Sequence, residues 1–240
     1  MSENFCFRHI LCFYEAYPLL FIQRGHLRMK YFLATILILL AALPGARGQS
    51  RGDQPLVAAS LNRELLASLV LEETNRVRAA AGRGELMWLE PLAIAAGDHA
   101  AAMTRHGFFD HTNSFDPAQR TLGDRMARVG VRSPAIAENI AMTFSVDFTA
   151  MRDWMRRGAG KGPAPRAVQH TYRSFGRSLV QQWMDSPAHR VNILNGRMRH
   201  LGLGFATMRD SKGLDRFYCV QEFCAPERSM AMRRRLIGAL

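Results

Sequence analysis

Apolar residues in the first half of the chain recur with the period of an amphipathic helix. Over residues 62–81 they return every three or four positions, and Gly82 follows directly. A second helix is predicted from Pro91, whose missing N–H costs nothing in a first turn, to His106. Both segments have the length of ordinary helices in globular domains.

Two further helices are predicted downstream. Asp116-Pro117 marks the start of a short third helix that ends at Gly130. The fourth covers residues 172–185 and ends at a Ser-Pro pair. Between them, residues 154–166 are rich in arginine, glycine and proline, and we interpret them as a basic loop.

Strand patterns are concentrated late in the chain. Residues 135–142 form a short apolar run, and residues 201–208 and 216–223 are predicted to form a hairpin across a polar turn. Helices followed by strands favour an α+β domain over a repeated βαβ unit.

The N-terminal region has the three-part layout of a secretory signal peptide. Lys30 supplies a positive charge, residues 31–43 are almost all apolar, and residues 46–48 offer small residues at a cleavage site. The apolar run is shorter than the roughly 20 residues that a transmembrane helix needs. We expect a signal peptide over 29–48 and an exported protein, with a retained N-terminal anchor as the alternative.

The rest of the chain is divided by composition. Residues 1–28 fit no signal peptide, and we interpret them as an extension upstream of the true start, Met29. Residues 49–60 are predicted to be a linker, 61–226 a single domain, and 227–240 a basic C-terminal tail.

Charge narrows the choice of partner. The chain has 32 Lys and Arg against 20 Asp and Glu, a net charge of +12. Export argues against a nucleic-acid partner and favours anionic lipid head groups, envelope polymers or another protein. Contact with a membrane is expected only through an uncleaved leader or the basic tail.

The cysteines leave one question open. Cys6 and Cys12 lie before the predicted cleavage site, so Cys219 and Cys224 remain. On a continuous strand, residues five apart lie on opposite faces. A disulfide therefore requires the chain to turn before Cys224, and both states stay possible.

Three polar residues stand in contexts that predict a site. His111 follows the end of the second helix, Glu138 lies inside an apolar run, and His189 follows the Ser-Pro break. A buried carboxylate needs a partner, which two imidazoles can supply. No metalloprotease, nucleophile-elbow or Walker motif is present, and Gly202-x-Gly204 lacks the third position of a dinucleotide fingerprint.

An ordered set of short motifs resembles the CAP superfamily of cysteine-rich secretory, antigen 5 and pathogenesis-related domains, in its bacterial SCP-like form. The matching pieces span about residues 65–224. They are Asn75-Arg76-x-Arg78, Leu86-x-Trp88, Phe108-Phe109-x-His111, Ala137-Glu138-Asn139-Ile140, Trp183-Met184-x-Ser186-Pro187-x-His189-Arg190-x-Asn192-Ile193-Leu194, Leu201-Gly202-Leu203-Gly204 and Tyr218-x-Val220-Gln221-x-Phe223.

The resemblance implies an α-β-α sandwich with a central cleft lined by two histidines and two acidic residues. His111 and His189 match the histidines, and Glu138 matches one acid. The position of the second acid is not matched, and Asp185 is the candidate to replace it. The family as a whole has no agreed reaction.

Two function classes follow. In the first, the domain is a non-enzymatic binding module whose cleft receives a ligand. In the second, it is a metal-dependent hydrolase in which His111, His189 and Glu138 hold a weakly bound divalent metal such as zinc or act as acid and base. No complete catalytic set is present, which favours the binding module.

Overall fold

The computed structural model of the chain describes residues 50–157 and 163–226. The predicted upstream extension and leader lie outside this part. So do the predicted basic tail, 227–240, and residues 158–162 of the predicted basic loop. None of the described helices is long and apolar enough to cross a membrane.

The first two predicted helices are present, and their ends have local causes. Helix α1 covers Arg63–Ala80, where Oδ1 of Asn62 caps it by accepting the N–H of Leu65 at 2.9 Å. Helix α2 covers Glu90–His106. It ends at Gly107, whose φ of 68° is a left-handed conformation that glycine adopts readily.

The predicted third helix is wrong as a single element. Pro117–Gln119 form a separate 3-10 turn capped by Asp116, and helix α3 covers only Leu122–Arg128. The side chain of Thr121 accepts the N–H of Asp124, whose carboxylate in turn accepts the N–H of Thr121. This second cap starts a new helix instead of continuing the first.

Three more α-helices lie in the described residues. Helix α4 covers Thr149–Arg156, so the prediction of a loop from residue 154 is wrong for its first residues. Helix α5 covers Tyr172–Asp185, as predicted. The Ser-Pro break separates it from a short helix α6, Pro187–Ile193, which the sequence pattern missed.

A four-stranded sheet forms the middle layer. The strands are β1 (Met87–Trp88), β2 (Ile136–Phe144), β3 (Val146–Asp147), β4 (Val168–Gln169), β5 (His200–Arg209) and β6 (Asp215–Cys224). The main sheet has the order β1-β5-β6-β2, with β1 parallel to β5 and the other pairs antiparallel. Strands β3 and β4 pair separately.

Helices cover both faces of the sheet. On one face, Leu66 of α1 and Leu179 and Trp183 of α5 pack with Leu203 and Phe217 in the largest apolar cluster. On the other face, α2 packs against β5 and β6 through a second apolar cluster. The predicted α-β-α sandwich is therefore confirmed.

Helix α2 lies unusually close to β5, and two glycines allow it. A Cβ atom at Gly202 would lie 2.2 Å from the backbone N of Ala93. A Cβ atom at Gly204 would lie 2.2 Å from the carbonyl carbon of Ala96. The Gly-x-Gly pair thus permits a helix to rest directly on a strand.

The segment predicted to be a linker packs against the domain over its described residues. Leu56 is fully buried in the main apolar cluster, and its N–H donates to the carbonyl oxygen of His170 at 2.7 Å. Pro55 forms a β-bridge with Thr171. The apolar Leu56 and the bridge of Pro55 thus hold the described residues of this segment against the domain, and the division of the chain at residue 60 stays a prediction.

Cys219 and Cys224 are free and buried. Strand β6 runs without a turn through both residues, which places them on opposite faces of the sheet in separate apolar clusters. Burial raises the pKa of the Cys224 thiol to about 11. Of the two states that the sequence left open, the structure shows two free, protonated thiols and not a disulfide.

Candidate functional site

His111 and Glu138 lie together, as the sequence predicted. The chain turns after α2 and brings His111 over β2, where its Nδ1 lies 2.6 Å from Oε1 of Glu138. The Glu138 side chain is 3% exposed, whereas that of His111 is 55% exposed. A buried carboxylate therefore holds an imidazole that faces the solvent.

Arg125 of α3 binds the second oxygen of this carboxylate. Its terminal nitrogen lies 2.5 Å from Oε2 of Glu138, and its side chain is completely buried. The same guanidinium donates to the carbonyl oxygens of His111 and Gln119, at 3.2 and 3.3 Å, and its Nε lies 3.4 Å from Oε1 of Glu222. Arg125 thus joins α3, the His111 loop and the sheet.

Glu222 is a buried acid that the sequence reasoning did not single out. It lies directly opposite Glu138 in the β2–β6 register, and its Oε2 has no hydrogen-bond partner in the described part of the chain. Burial and the charge of Glu138 raise the pKa of Glu222 to about 8, because the distant contact with Arg125 offsets them only in part. At neutral pH this carboxyl is mostly protonated.

The ionised carboxylate of the cluster belongs to Glu138. Burial alone would raise its pKa. The hydrogen bond with His111 and the charge of Arg125 outweigh burial, so the pKa of Glu138 lies below its ordinary value. The cluster is therefore one buried arginine–carboxylate pair beside a protonated acid.

His189 is half-buried on α6, and amide side chains fix its helix to the sheet. Asn139 donates to the carbonyl oxygen of His189 at 3.2 Å and to Oε1 of Gln221 at 3.0 Å. Asn192 donates to the carbonyl oxygen of Glu138 at 3.1 Å and to Oδ1 of Asn139 at 2.8 Å. These bonds explain why both asparagines accompany the acid and the histidine in the sequence motifs.

The two imidazoles differ in their electrostatics. The hydrogen bond with Glu138 raises the pKa of His111 above its ordinary value, against the opposing effect of burial. Burial, and then the charge of His111, lower the pKa of His189. The charge of His111 thus acts on His189, and the two imidazoles differ in basicity.

Asp185 is not brought into this cluster. It is exposed at the end of α5, and its Oδ1 accepts a hydrogen bond from Nε2 of Gln181 at 2.7 Å. In the described ranges no hydrogen bond or ion pair joins Asp185 to the two histidines or Glu138. The second acid near Glu138 is Glu222. It lies in strand β6 among apolar residues, so the sequence pattern predicted a strand there and did not single out this carboxylate.

The arrangement does not fit a metal held jointly by His111, His189 and Glu138. Both carboxylate oxygens of Glu138 are taken, one by His111 and one by the cation Arg125. Among the residues that the structure describes, no group of three or more His, Cys, Asp or Glu side chains is arranged to hold a metal ion. Metal binding stays a prediction from the sequence.

His111 should make stability depend on pH in a defined direction. The pKa of His111 is raised in the folded state. The stability that its charge contributes is therefore fully present below its pKa in the unfolded chain, about 6.5, and is lost as the pH rises through its pKa in the folded protein. We expect His111→Asn to destabilise the protein most at acid pH. Urea unfolding of both proteins across this range measures the difference, and a constant difference would contradict the assignment.

Comparison with known proteins places this architecture in a family. The model of the cysteine-rich secretory protein (CAP) family matches residues 71–223. An uncharacterized membrane protein of Bacillus subtilis, YlbC, is 28% identical over 154 residues, which cover 64% of this chain and 33% of YlbC. The chain thus spans about a third of the length of that relative.

Two solved structures are similar to parts of the chain. An extracellular SCP-domain protein from Bacillus anthracis is 25% identical, with a TM-score of 0.46 over 67% of this chain and 40% of that protein. A cysteine-rich secretory protein from Staphylococcus aureus, SAV1118, is 17% identical, with a TM-score of 0.43 over 70% of this chain and 41% of that one. Because the family model matches more than half of the chain, the protein belongs to the CAP family of cysteine-rich secretory proteins.

Proposed function

We propose that the protein is an exported, non-enzymatic binding module whose cleft receives an anionic, phosphate-bearing ligand of the cell envelope. The observation that carries the proposal is the pairing of His111 with Glu138. One ring nitrogen is held by the buried carboxylate, and the other side of the ring faces solvent. A raised pKa then keeps the exposed edge positively charged at mildly acid pH.

The hydrogen bonds of Glu138 support binding over catalysis. A general base must be within reach of its substrate, but the carboxylate of Glu138 is only 3% exposed and is bonded to both His111 and Arg125. Among the described residues, no hydroxyl or thiol is hydrogen-bonded to the imidazole of His111 or His189, the arrangement that an activated nucleophile requires. The cleft therefore presents fixed donors.

The charge of the whole chain supports an anionic ligand. Without the predicted leader, residues 49–240 keep 27 Lys and Arg against 18 Asp and Glu, and this net charge of +9 raises the local concentration of anions near the surface. Phosphate groups occur both in anionic lipid head groups and in envelope polymers, and a protonated imidazole donates a charge-assisted hydrogen bond to either. Export of the domain remains the prediction of the N-terminal sequence.

Co-sedimentation with vesicles tests this proposal. We expect the protein to bind phosphatidylglycerol vesicles and not phosphatidylcholine vesicles, at a pH below the raised pKa of His111. Replacing His111 and His189 together with glutamine should weaken binding about tenfold or more, because a hydrogen bond to a charged group contributes ~1.5–3 kcal/mol. Arg177→Gln, an exposed change on α5, is the control for a general loss of positive charge.

Three results separate the alternatives. Competition by soluble poly(glycerol phosphate), with no vesicle binding, would identify the polymer as the source of the phosphate. Loss of binding in Arg177→Gln equal to that in the histidine variant would contradict a role for the cleft. Peptide hydrolysis that requires added zinc and disappears in His189→Ala would favour the hydrolase predicted as the alternative.

A further inference from the structure

Three guanidinium groups converge on the loop that joins α6 to β5, which we call the α6–β5 loop. Nη1 of Arg78, in α1, donates to the carbonyl oxygen of Asn195 at 3.2 Å, and Nη1 of Arg199 donates to that of Gly196 at 2.7 Å. Arg83 lies at the same place, because a Cβ atom added to Gly196 would be 3.6 Å from its Nη1. Separate parts of the chain thus bring three positive charges to one loop.

Arg78 is the buried member of this group. Its side chain is completely buried, and it donates to the carbonyl oxygens of Gly84, Ile193 and Asn195. Carbonyl oxygens carry only partial negative charge, and Nη2 of Arg78 has no hydrogen-bond partner among the described residues. The charge of Arg78 is therefore hydrogen-bonded but not neutralised, whereas buried charges are usually paired.

Acidic side chains do not offset these charges in the part of the chain that the structure describes. No ion pair there joins Arg78, Arg83 or Arg199 to a carboxylate, although Glu85 lies two residues after Arg83. Burial, and then the charges of Arg199 and Arg83, lower the pKa of Arg78. The three arginines therefore repel one another, and an anion bound between them would remove this repulsion.

Arg83 and Arg199 have donors to offer to such an anion. Both residues are exposed, and the side chain of Arg83 donates to no described group. Arg199 uses only Nη1, which donates to the carbonyl oxygens of Gly196 and Met198. A guanidinium group presents its N–H donors in a planar fork that fits two oxygens of a phosphate group.

We propose that the α6–β5 loop is a second anion site, in which Arg83 and Arg199 bind a phosphate monoester and the buried charge of Arg78 strengthens the attraction. Three positive charges match the charge of a monoester, about −1.5 to −2 at neutral pH, better than the single charge of a carboxylate. Salt screens a buried charge much less than an exposed one. The site shares no residue with the histidine cleft and does not depend on the ligand proposed there.

Titration of the full chain with inorganic phosphate at pH 7, followed by NMR, tests this site. We expect the backbone amides of Gly196 and Arg197 to shift and reach saturation, with sodium chloride of equal ionic strength as the reference. Arg83→Gln should weaken phosphate binding about tenfold or more, because it removes charge-assisted hydrogen bonds. The Arg83 side chain bonds no described residue, so this change should leave the fold of the loop intact.

Two variants serve as controls. Arg177→Gln also removes one positive charge from an exposed position, and should leave phosphate binding at the loop unchanged. The variant with glutamine in place of both His111 and His189 should likewise shift the Gly196 amide as the wild type does. The loop site and the cleft can therefore fail independently of each other.

Vesicles that contain phosphatidate separate the two sources of a phosphate monoester. Broadening of the Gly196 amide signal by these vesicles, reversed by excess inorganic phosphate, would identify a lipid head group as the ligand. Saturation by inorganic phosphate without any effect of the vesicles would identify a soluble phosphate compound.

Two outcomes would overturn the proposal. The first is a change in the Gly196 and Arg197 amides that grows linearly with phosphate and is equalled by chloride, which would show general screening and no site. The second is equal weakening of phosphate binding in Arg83→Gln and Arg177→Gln, which would show that only the net charge of the protein attracts the anion.

Discussion

Replacing Arg125 with methionine is expected to lower the free energy of unfolding by about 3–5 kcal/mol, the usual cost of removing one partner of a buried ion pair. The side chain is completely buried and is the only arginine or lysine in contact with Glu138 among the described residues. Methionine fills similar space but leaves the carboxylate of Glu138 and the carbonyl oxygens of His111 and Gln119 without their donor. Urea unfolding with circular dichroism measures the loss.

Arg128, one turn further along α3, provides the matched control. Its ion pair with Asp98 spans 2.5 Å, but both side chains are about half exposed. Exposed pairs contribute at most about 1 kcal/mol, so Arg128→Met should change stability little. Equal losses in the two variants would show that the buried cluster has no special role.

Gly204→Ala is expected to destabilise the protein by about 3 kcal/mol, the upper end of the usual cost of overpacking. The added Cβ would meet the carbonyl carbon of Ala96 and the backbone N of Gly97, each at 2.2 Å. A flexible side chain can rotate away, but helix backbone can yield only if α2 lifts off the sheet. Gly202→Ala should have a similar effect, because its Cβ would meet the backbone of Ala93.

Gly97→Ala separates this packing effect from a general intolerance of glycine changes. A Cβ at Gly97 has no atom within 4 Å, and the residue lies inside α2. Alanine is the better helix former, so we expect a gain of roughly 0.5–1 kcal/mol. A Gly204→Ala variant with wild-type stability, measured beside this control, would contradict the close approach of α2 to β5.

Much of the fold is encoded in local signals that a single sequence displays. The Asn62 cap, Gly107 and the Ser-Pro break set the ends of three helices close to where they were predicted. The third helix failed because Thr121 and Asp124 form a second cap within what resembled one helix. A two-residue strand such as β1 is too short to show a periodic pattern, and it forms by pairing with β5.

The sequence predicted site residues only where a polar residue lay among apolar neighbours. A carboxylate in an apolar run indicated that Glu138 needs a partner, and His111 is one of its two partners. Arg125 resembled an ordinary surface arginine, because a seven-residue helix reveals its buried face only after it packs. Asp185 was chosen by proximity along the chain, whereas Glu222 reaches the cluster through the β2–β6 register.

The burial of the Arg125–Glu138 pair also determines how the domain responds to ionic strength. Dissolved ions screen charges that they can approach, with a Debye length of about 8 Å in physiological salt, and they screen buried pairs much less. Exposed ion pairs such as Arg128–Asp98 therefore weaken at high salt concentration. The buried Arg125–Glu138 pair, which holds the His111 loop to the sheet, keeps its strength. The position of His111 over β2 should therefore depend little on salt concentration.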